Sequence, residues 1–257
     1  MNSYAKRIAI FFYGIGSYAI FFATFLYAIA FVGNLPVVSR HIDGVPEMAL
    51  GNALVIDVLL LALFAIQHSV MARPAFKAWW TRIIPAAAER STYVLFSSLA
   101  LIALFYFWQP LGGTVWQVDN RSARLVLAAG FGFGWALVLY STFLINHFDL
   151  FGLRQVWLHL LGEPYEALPF KTPAVYKVVR HPLYLGWFFA FWCTPLMSAT
   201  HLLFALLTSA YILIGIFLEE RDLIRAHPEY RAYRERVPML LPRFKSKAVS
   251  ENAKEAA

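Results

Sequence analysis

Four apolar runs, near residues 8–32, 52–72, 92–109 and 124–146, constrain this chain more than any other feature. Crossing a bilayer as a helix takes about 17–25 residues, and each run is long enough. Backbone amides find no water at that depth, so such runs fold as helices and not as open strands. Two shorter runs, near 183–199 and 201–218, read as the arms of a hairpin that turns at about Ser198–His201. The expected fold class is all-α: a polytopic membrane helical bundle of about six transmembrane helices, the last two a C-terminal hairpin. At 60% apolar and 14% charged residues, the chain lies outside the soluble range of about 45–50% apolar.

Lysine and arginine placement orients the bundle. Lys6 and Arg7 precede the first run, and Arg73, Lys77, Arg82 and Arg90 separate the second from the third. Arg154, Lys171, Lys177 and Arg180 precede the hairpin, and nine more cations follow it, from Arg221 to Lys254. Arg40, Arg121 and Arg124 fall on the opposite side, so 19 of the 22 share one side. The positive-inside rule makes that side, with both termini, cytoplasmic. A multi-pass protein of the bacterial cytoplasmic (inner) membrane is expected. The +7 charge sits on membrane flanks, so it is not a nucleic-acid footprint.

Ala28-Ile29-Ala30 matches a small-x-small cleavage site. The apolar run before it is about twice the usual 7–15-residue signal core, so an uncleaved first span is expected. The lone Cys193 excludes an intrachain disulfide and any multi-cysteine metal site, and reads as packing. Aromatics and cations mix over residues 73–90, as in an interfacial helix. Residues 148–182 form the longest cytoplasmic connection: an amphipathic piece from Phe151 to Leu161, then Pro164, Pro169 and Pro173, which break helix. From about 246 onward the tail is polar and expected to be disordered. Gly130 and Gly134 lie inside the fourth span with no preceding strand, so they read as a small-xxx-small packing face and not as a nucleotide loop.

Ionisable groups within spans are costly and are functional candidates by default. Gln67-His68-Ser69 stands just before Arg73, and the fourth span finishes at Asn146-His147-Phe148-Asp149. The hairpin begins at Arg180-His181 and returns to Glu219-Glu220. Four elements thus bring polar groups to the cytoplasmic third of the bilayer. Arginine, histidine, tyrosine and two carboxylates at one depth read as a cytoplasmic pocket for a polar, zwitterionic molecule. Each residue also has a plainer reading: His68 as a satisfied interhelical donor, His147 and Asp149 as an ordinary helix terminus. Two apart on a helix, His147 and Asp149 diverge, and they reach one pocket only if the span ends there. Asp57, near the outer end of the second span, is expected to snorkel or pair. His41, His159, His201 and His227 receive no role. His68, His147 and Asp149 do not form a recognised ligand spacing, so no metal is expected.

Arg180-His181-Pro182-x-Tyr184-x-Gly186, an apolar hairpin, Glu219-Glu220, and then Tyr230-x-x-Tyr233-x-x-Arg236-Val237-Pro238 with Leu241-Pro242 form a spaced set. It resembles the integral-membrane isoprenylcysteine carboxyl methyltransferase and phospholipid methyltransferase superfamily, over about residues 175–243. The segments Gln67-His68-Ser69 to Arg73-Pro74 and Phe143 to Gln155 resemble a narrower branch: the bacterial methanethiol S-methyltransferases, which make dimethyl sulfide, and related denitrification-associated membrane proteins. The resemblance implies one methyltransferase domain over 1–245, with 1–146 shaping the acceptor side and 147–245 binding S-adenosylmethionine. It places Tyr176, Arg180, His181, Pro182, Leu183, Tyr184, Gly186, Glu219, Glu220, Tyr230, Tyr233 and Arg236 around that cofactor.

The chemistry of the residues agrees. Arg180 and Arg236 suit a carboxylate, Glu219 or Glu220 an ammonium or ribose hydroxyls, and His181 and Tyr184 hydrogen bonding and stacking. Pro182 suits a first helical turn, and Gly186 a close backbone approach. A small alkyl thiol is mostly protonated at neutral pH, so a base beside it should help. His147 or His68 is the expected base, with Asp149 orienting the imidazole and Asn146 and Arg154 holding the site. The expected partners are a small volatile thiol, arriving from lipid, and the bilayer itself. Two alternatives stay open: methylation of a phospholipid amine, and a non-catalytic, denitrification-associated membrane protein on the same scaffold. Carboxyl methylation of a prenylated protein is disfavoured by the compact connections.

Overall fold

The computed structural model describes residues 3–242, so the tail expected to be disordered lies outside the described residues. In chain order the elements are α1 (Ser3–Val32), α2 (Leu50–Ala72), α3 (Pro74–Trp80), α4 (Ala86–Phe107), β1 (Thr114–Gln117), α5 (Arg121–Ile145), α6 (His147–Leu150), α7 (Leu153–Leu161), α8 (Pro182–Trp192), β2 (Leu196–Ser198), α9 (Ala199–Ala226) and α10 (Tyr230–Arg236). Helices α1, α2, α4, α5 and α9 are long and apolar enough to cross a membrane. The protein is a polytopic helical membrane bundle. Helices α3 and α7 are the short pieces expected at the interface, and α10 continues the polar end of α9.

The expected hairpin needs one correction. Its first arm, α8, has 11 residues, about 16 Å at helical rise, which is half a ~30 Å hydrocarbon core. Pro195 stops the helix, and the chain continues extended into β2, which pairs antiparallel with β1 from the α4–α5 connection. The expected first arm is therefore an 11-residue helix, a short irregular piece and the three-residue strand β2. Freed carbonyls of the break find donors there: the Thr194 carbonyl accepts from Trp116 Nε1 at 3.2 Å, and Pro195 from the Val118 amide at 2.8 Å. Irregular backbone at membrane depth is tolerable because protein satisfies it. The turn then falls where expected, with the Ser198 hydroxyl capping α9 at the His201 amide, 3.0 Å away.

Two glycines let α8 pack directly on α5. A Cβ on Gly134 of α5 would lie 2.5 Å from the Ala190 amide and 2.6 Å from the Gly186 carbonyl of α8. One on Gly186 would lie 2.7 Å from the Gly134 carbonyl. These helices meet backbone to backbone, which only a missing side chain permits. Gly186 thus makes its close approach to α5, and Gly130 seats the Cys193 sulfur. An aromatic core of Phe31, Phe105, Trp108, Trp135, Phe191 and Phe204 fills mainly the outer half of the bundle. Asp57 pairs there, its carboxylate accepting from the Gln109 amide at 2.9 Å. Toward the other end, two smaller apolar clusters, around Val156 and around Val94, lie among the polar residues.

Candidate active site

Glu220 is the hub of the polar end of the bundle. It is 5% exposed, yet four groups converge on it. Arg180 Nε donates to one carboxylate oxygen at 2.7 Å, His181 Nε2 lies 2.9 Å from that same oxygen, and the Tyr230 hydroxyl reaches it at 3.4 Å. Arg234 Nε lies 3.2 Å from the other oxygen. The Arg180 guanidinium also donates to the Arg234 and Val237 carbonyls, at 2.9 and 2.5 Å. The amides of Arg180 and His181 donate to the carbonyls of Pro238 and Met239, at 2.9 and 3.1 Å. This explains the long-range spacing of the motif: the Arg-His-Pro turn is stapled to the Arg-Val-Pro segment, with Glu220 between them.

The arginine on α10 that joins this hub is Arg234, whereas Arg236 turns away and donates to its own helix at Ala232. Helical period decides between them. Tyr230, Tyr233 and Arg234 are three and four apart and share a face that Arg236 leaves. Tyr230 and Tyr233 pack at 5.5 Å between ring centres, and Phe170 adds a third ring at 5.6 and 5.7 Å. The Tyr233 hydroxyl donates to the Tyr176 carbonyl. Burial raises the phenols of Tyr176, Tyr230 and Tyr233, the last to about 12, so all three are neutral donors at physiological pH. Pro182 is the buried first residue of α8, with the half-buried Leu183 beside it.

A second cluster adjoins the hub through Glu219 and Tyr184. The Tyr184 hydroxyl donates to Glu219 at 2.8 Å, its ring lies 5.5 Å from His181, and its phenol is within electrostatic range of Tyr211 and Tyr93. Ser69 and Tyr211 share a 3.0 Å hydroxyl contact. His68 stacks on Phe64, and its ring nitrogens meet two hydroxyls: Nδ1 that of Ser97 at 3.1 Å, Nε2 that of Tyr93 at 2.8 Å. Arg90 sits over the Tyr93 ring at 5.0 Å, and Arg73 pairs with Asp222 at 3.1 Å. The inner ends of α2, α4, α8 and α9 therefore converge.

His147 lies apart from this convergence. The span does end before it, as a shared pocket with Asp149 would require. Asn146, at φ 154°, closes α5 and caps α6 through the Asp149 amide. The two side chains nevertheless diverge. His147, 2% exposed, meets the Tyr18 hydroxyl at Nε2 and the Thr142 hydroxyl at Nδ1, both at 2.8 Å, and stacks on Phe143. Burial holds its imidazole below the usual histidine range. Asp149 instead accepts from Arg154 at 3.0 Å, with Gln155 and Tyr165 as further donors, so it does not orient His147. Arg154 also holds the Glu166 carbonyl at 2.9 Å, which pins the connection. Asn146 and Asp149 face a polar cleft of about 770 Å³ shared with Lys77 and Arg90. His147 approaches the His68 cluster through Phe151, which packs on the buried Met71–Tyr93–Val94 group.

Tyr93, Ser97, Tyr211, Phe170 and Arg234 escaped the sequence reading, because hydroxyls and rings on apolar helices look like ordinary packing. A signal existed for Tyr93 and Ser97. They are four apart, just inside Arg90, at the depth already assigned to His68. Among the described residues no group of three histidine, cysteine or acidic side chains is placed to hold a metal ion.

Known proteins place this arrangement in a family. The methanethiol S-methyltransferase of Crocosphaera subtropica is 53% identical over 242 residues, which cover 94% of each chain. Methanethiol S-methyltransferase 1 of Bradyrhizobium diazoefficiens is 54% identical over 235 residues, 90% of this chain and 81% of the relative. The chain belongs to the methanethiol S-methyltransferase family. The Mycobacterium tuberculosis member is 50% identical over 238 residues, 92% of this chain and 97% of its own. The likeness thus spans both the upstream helices and the hairpin, so the His68 cluster and the Glu220 hub lie together within it. No protein-family model and no solved structure matches the chain.

Proposed function

We propose that this protein transfers a methyl group from S-adenosylmethionine to methanethiol, giving dimethyl sulfide, at the inner face of a bacterial cytoplasmic membrane. The observation that carries the reading is the 50–54% identity, over nine-tenths or more of the chain, to proteins named for this activity. The cationic flanks support cytoplasmic termini. Residues 1–146 then supply the acceptor side and 147–245 the donor side.

The residues of the hub suit the proposed donor. Two guanidiniums, Arg180 and Arg234, share the single carboxylate of Glu220, leaving positive charge for a ligand carboxylate. Glu219, exposed at the edge of the hub, suits an ammonium or a ribose diol. Phe170, partly exposed and packed on the buried Tyr230 and Tyr233, offers a face for an adenine. When bound, the cofactor supplies an electrophilic methyl on a sulfonium centre. Arg180 and Glu220 then act as the frame, while His181 and Tyr184 link it to the reaction side.

The acceptor needs a base, and His68 fits better than His147. It is bonded to Tyr93, whose phenol is within electrostatic range of Tyr184, and is only partly buried, whereas His147 is sealed among aromatic rings on the far side of Phe151. Methanethiol is small and apolar and enters from lipid between the helices. Excluding water there strengthens every charge interaction within.

Supplying the purified protein with methyl-labelled S-adenosylmethionine and, in separate reactions, methanethiol, hydrogen sulfide or phosphatidylethanolamine tests the proposal. Label in dimethyl sulfide is expected. Label in the lipid amine would replace the reading, and donor binding without transfer to any acceptor would end the enzymatic one.

A further inference from the structure

Both ring nitrogens of His68 are already taken. Nδ1 faces the Ser97 hydroxyl at 3.1 Å and Nε2 the Tyr93 hydroxyl at 2.8 Å, with the Tyr93 oxygen also 3.1 Å from Nδ1. An imidazole so enclosed receives a substrate proton through one of those hydroxyls. Ser97 stands one helical turn farther outward on α4, away from the inner face. Tyr93 stands on the inner side, in electrostatic range of Tyr184, whose own hydroxyl is bonded to Glu219. The Arg90 guanidinium over its ring favours any negative charge that gathers on the phenol oxygen during transfer.

We propose that Tyr93 is the residue that meets the thiol, passing its proton to His68. The thiol S–H bond breaks as its proton moves to the Tyr93 oxygen, the Tyr93 O–H proton moves to His68 Nε2, and the electron pair left on sulfur forms the new S–C bond as the donor's methyl–sulfonium bond breaks, its electrons staying on the donor sulfur. Tyr93 ends as it began, and the net products are dimethyl sulfide, the donor's neutral thioether and an imidazolium on His68. Ser97 holds the other ring nitrogen and is a positioning residue. The inference rests on His68 as the base and adds the group that touches substrate.

The decisive variant is Tyr93→Phe, which keeps the ring and removes the hydroxyl. Its turnover is compared with two thiols, methanethiol and an aryl thiol that is ionised at neutral pH, while calorimetry follows S-adenosylmethionine binding. Turnover with methanethiol should fall by about 10²-fold, the lower end for general acid–base assistance. The aryl thiol, needing no base, should lose less than about threefold, and donor affinity should hold. An equal loss with both thiols, or none with either, would overturn the role of Tyr93. His68→Ala separates the two claims: should it leave methanethiol turnover intact, the base assignment falls as well. A single-turnover proton inventory on the unaltered enzyme keeps the test open should the variant not fold. A bowed dependence on deuterium fraction supports two protons in motion, and a linear one contradicts the relay.

Discussion

Glu220→Ala should destabilise the protein by about 3–5 kcal/mol, the cost of leaving buried charges without their partner. Arg180 and Glu220 side chains are 9% and 7% exposed, so water cannot replace the carboxylate cheaply. The loss goes beyond one ion pair, because Glu220 also holds His181, Tyr230 and Arg234. Without it the staple between the Arg-His-Pro turn and residues 237–239 loses its centre, and S-adenosylmethionine binding should vanish with it. Glu219→Ala provides the contrast. Its carboxylate is exposed and bonded to Tyr184, so stability should stay near that of the parent while donor affinity weakens. Thermal unfolding in detergent, alongside calorimetric titration of the donor, reads both effects. A Glu220 variant as stable as the parent would refute the hub.

Gly134→Val should disrupt the bundle still more directly. Its first added carbon would meet backbone atoms of α8 at 2.5 and 2.6 Å, and backbone cannot rotate aside as a side chain can. Overpacking costs about 1–3 kcal/mol in ordinary cores and more where no rotamer escapes. Forcing α5 from α8 also moves Pro182 and the Arg180-His181 turn, so donor binding should fail together with stability. Gly132 lies on the same helix with nothing within 4 Å of a would-be Cβ. Gly132→Ala should therefore be neutral or slightly stabilising, since alanine favours helix over glycine by about 1 kcal/mol. Equal unfolding temperatures for the Gly134 and Gly132 variants would remove the close-packed crossing from the account.

The spans were legible because a bilayer allows so few solutions: uninterrupted apolar length, cation placement and a turn at about Ser198–His201 suffice. The break after α8 was not, since Pro195 signals a stop without saying that Trp116 and Val118, some eighty residues earlier, wait to satisfy the freed carbonyls. In the hub, Arg180, His181 and Glu220 were visible as a spaced set, while the exchange of Arg236 for Arg234 depended on the phase of a short helix. The pairing of Asp149 with His147 failed for a different reason. Sequence proximity suggested a couple, but the turn at Asn146 sends one side chain inward and the other to the Arg154 cleft. His68 carried the right depth and no hint of its hydroxyl partners, because tyrosine and serine on an apolar helix look alike whether they pack or work.

The most direct test of where the chemistry lies is a side-by-side kinetic measurement of His68→Ala and His147→Ala, each saturated with S-adenosylmethionine and given methanethiol in a single turnover. The account predicts that His68→Ala binds the donor normally yet transfers its methyl at least about 10²-fold more slowly, while folded His147→Ala stays within about threefold of the parent. Unchanged transfer in the His68 variant, with the loss falling on His147 instead, would contradict it.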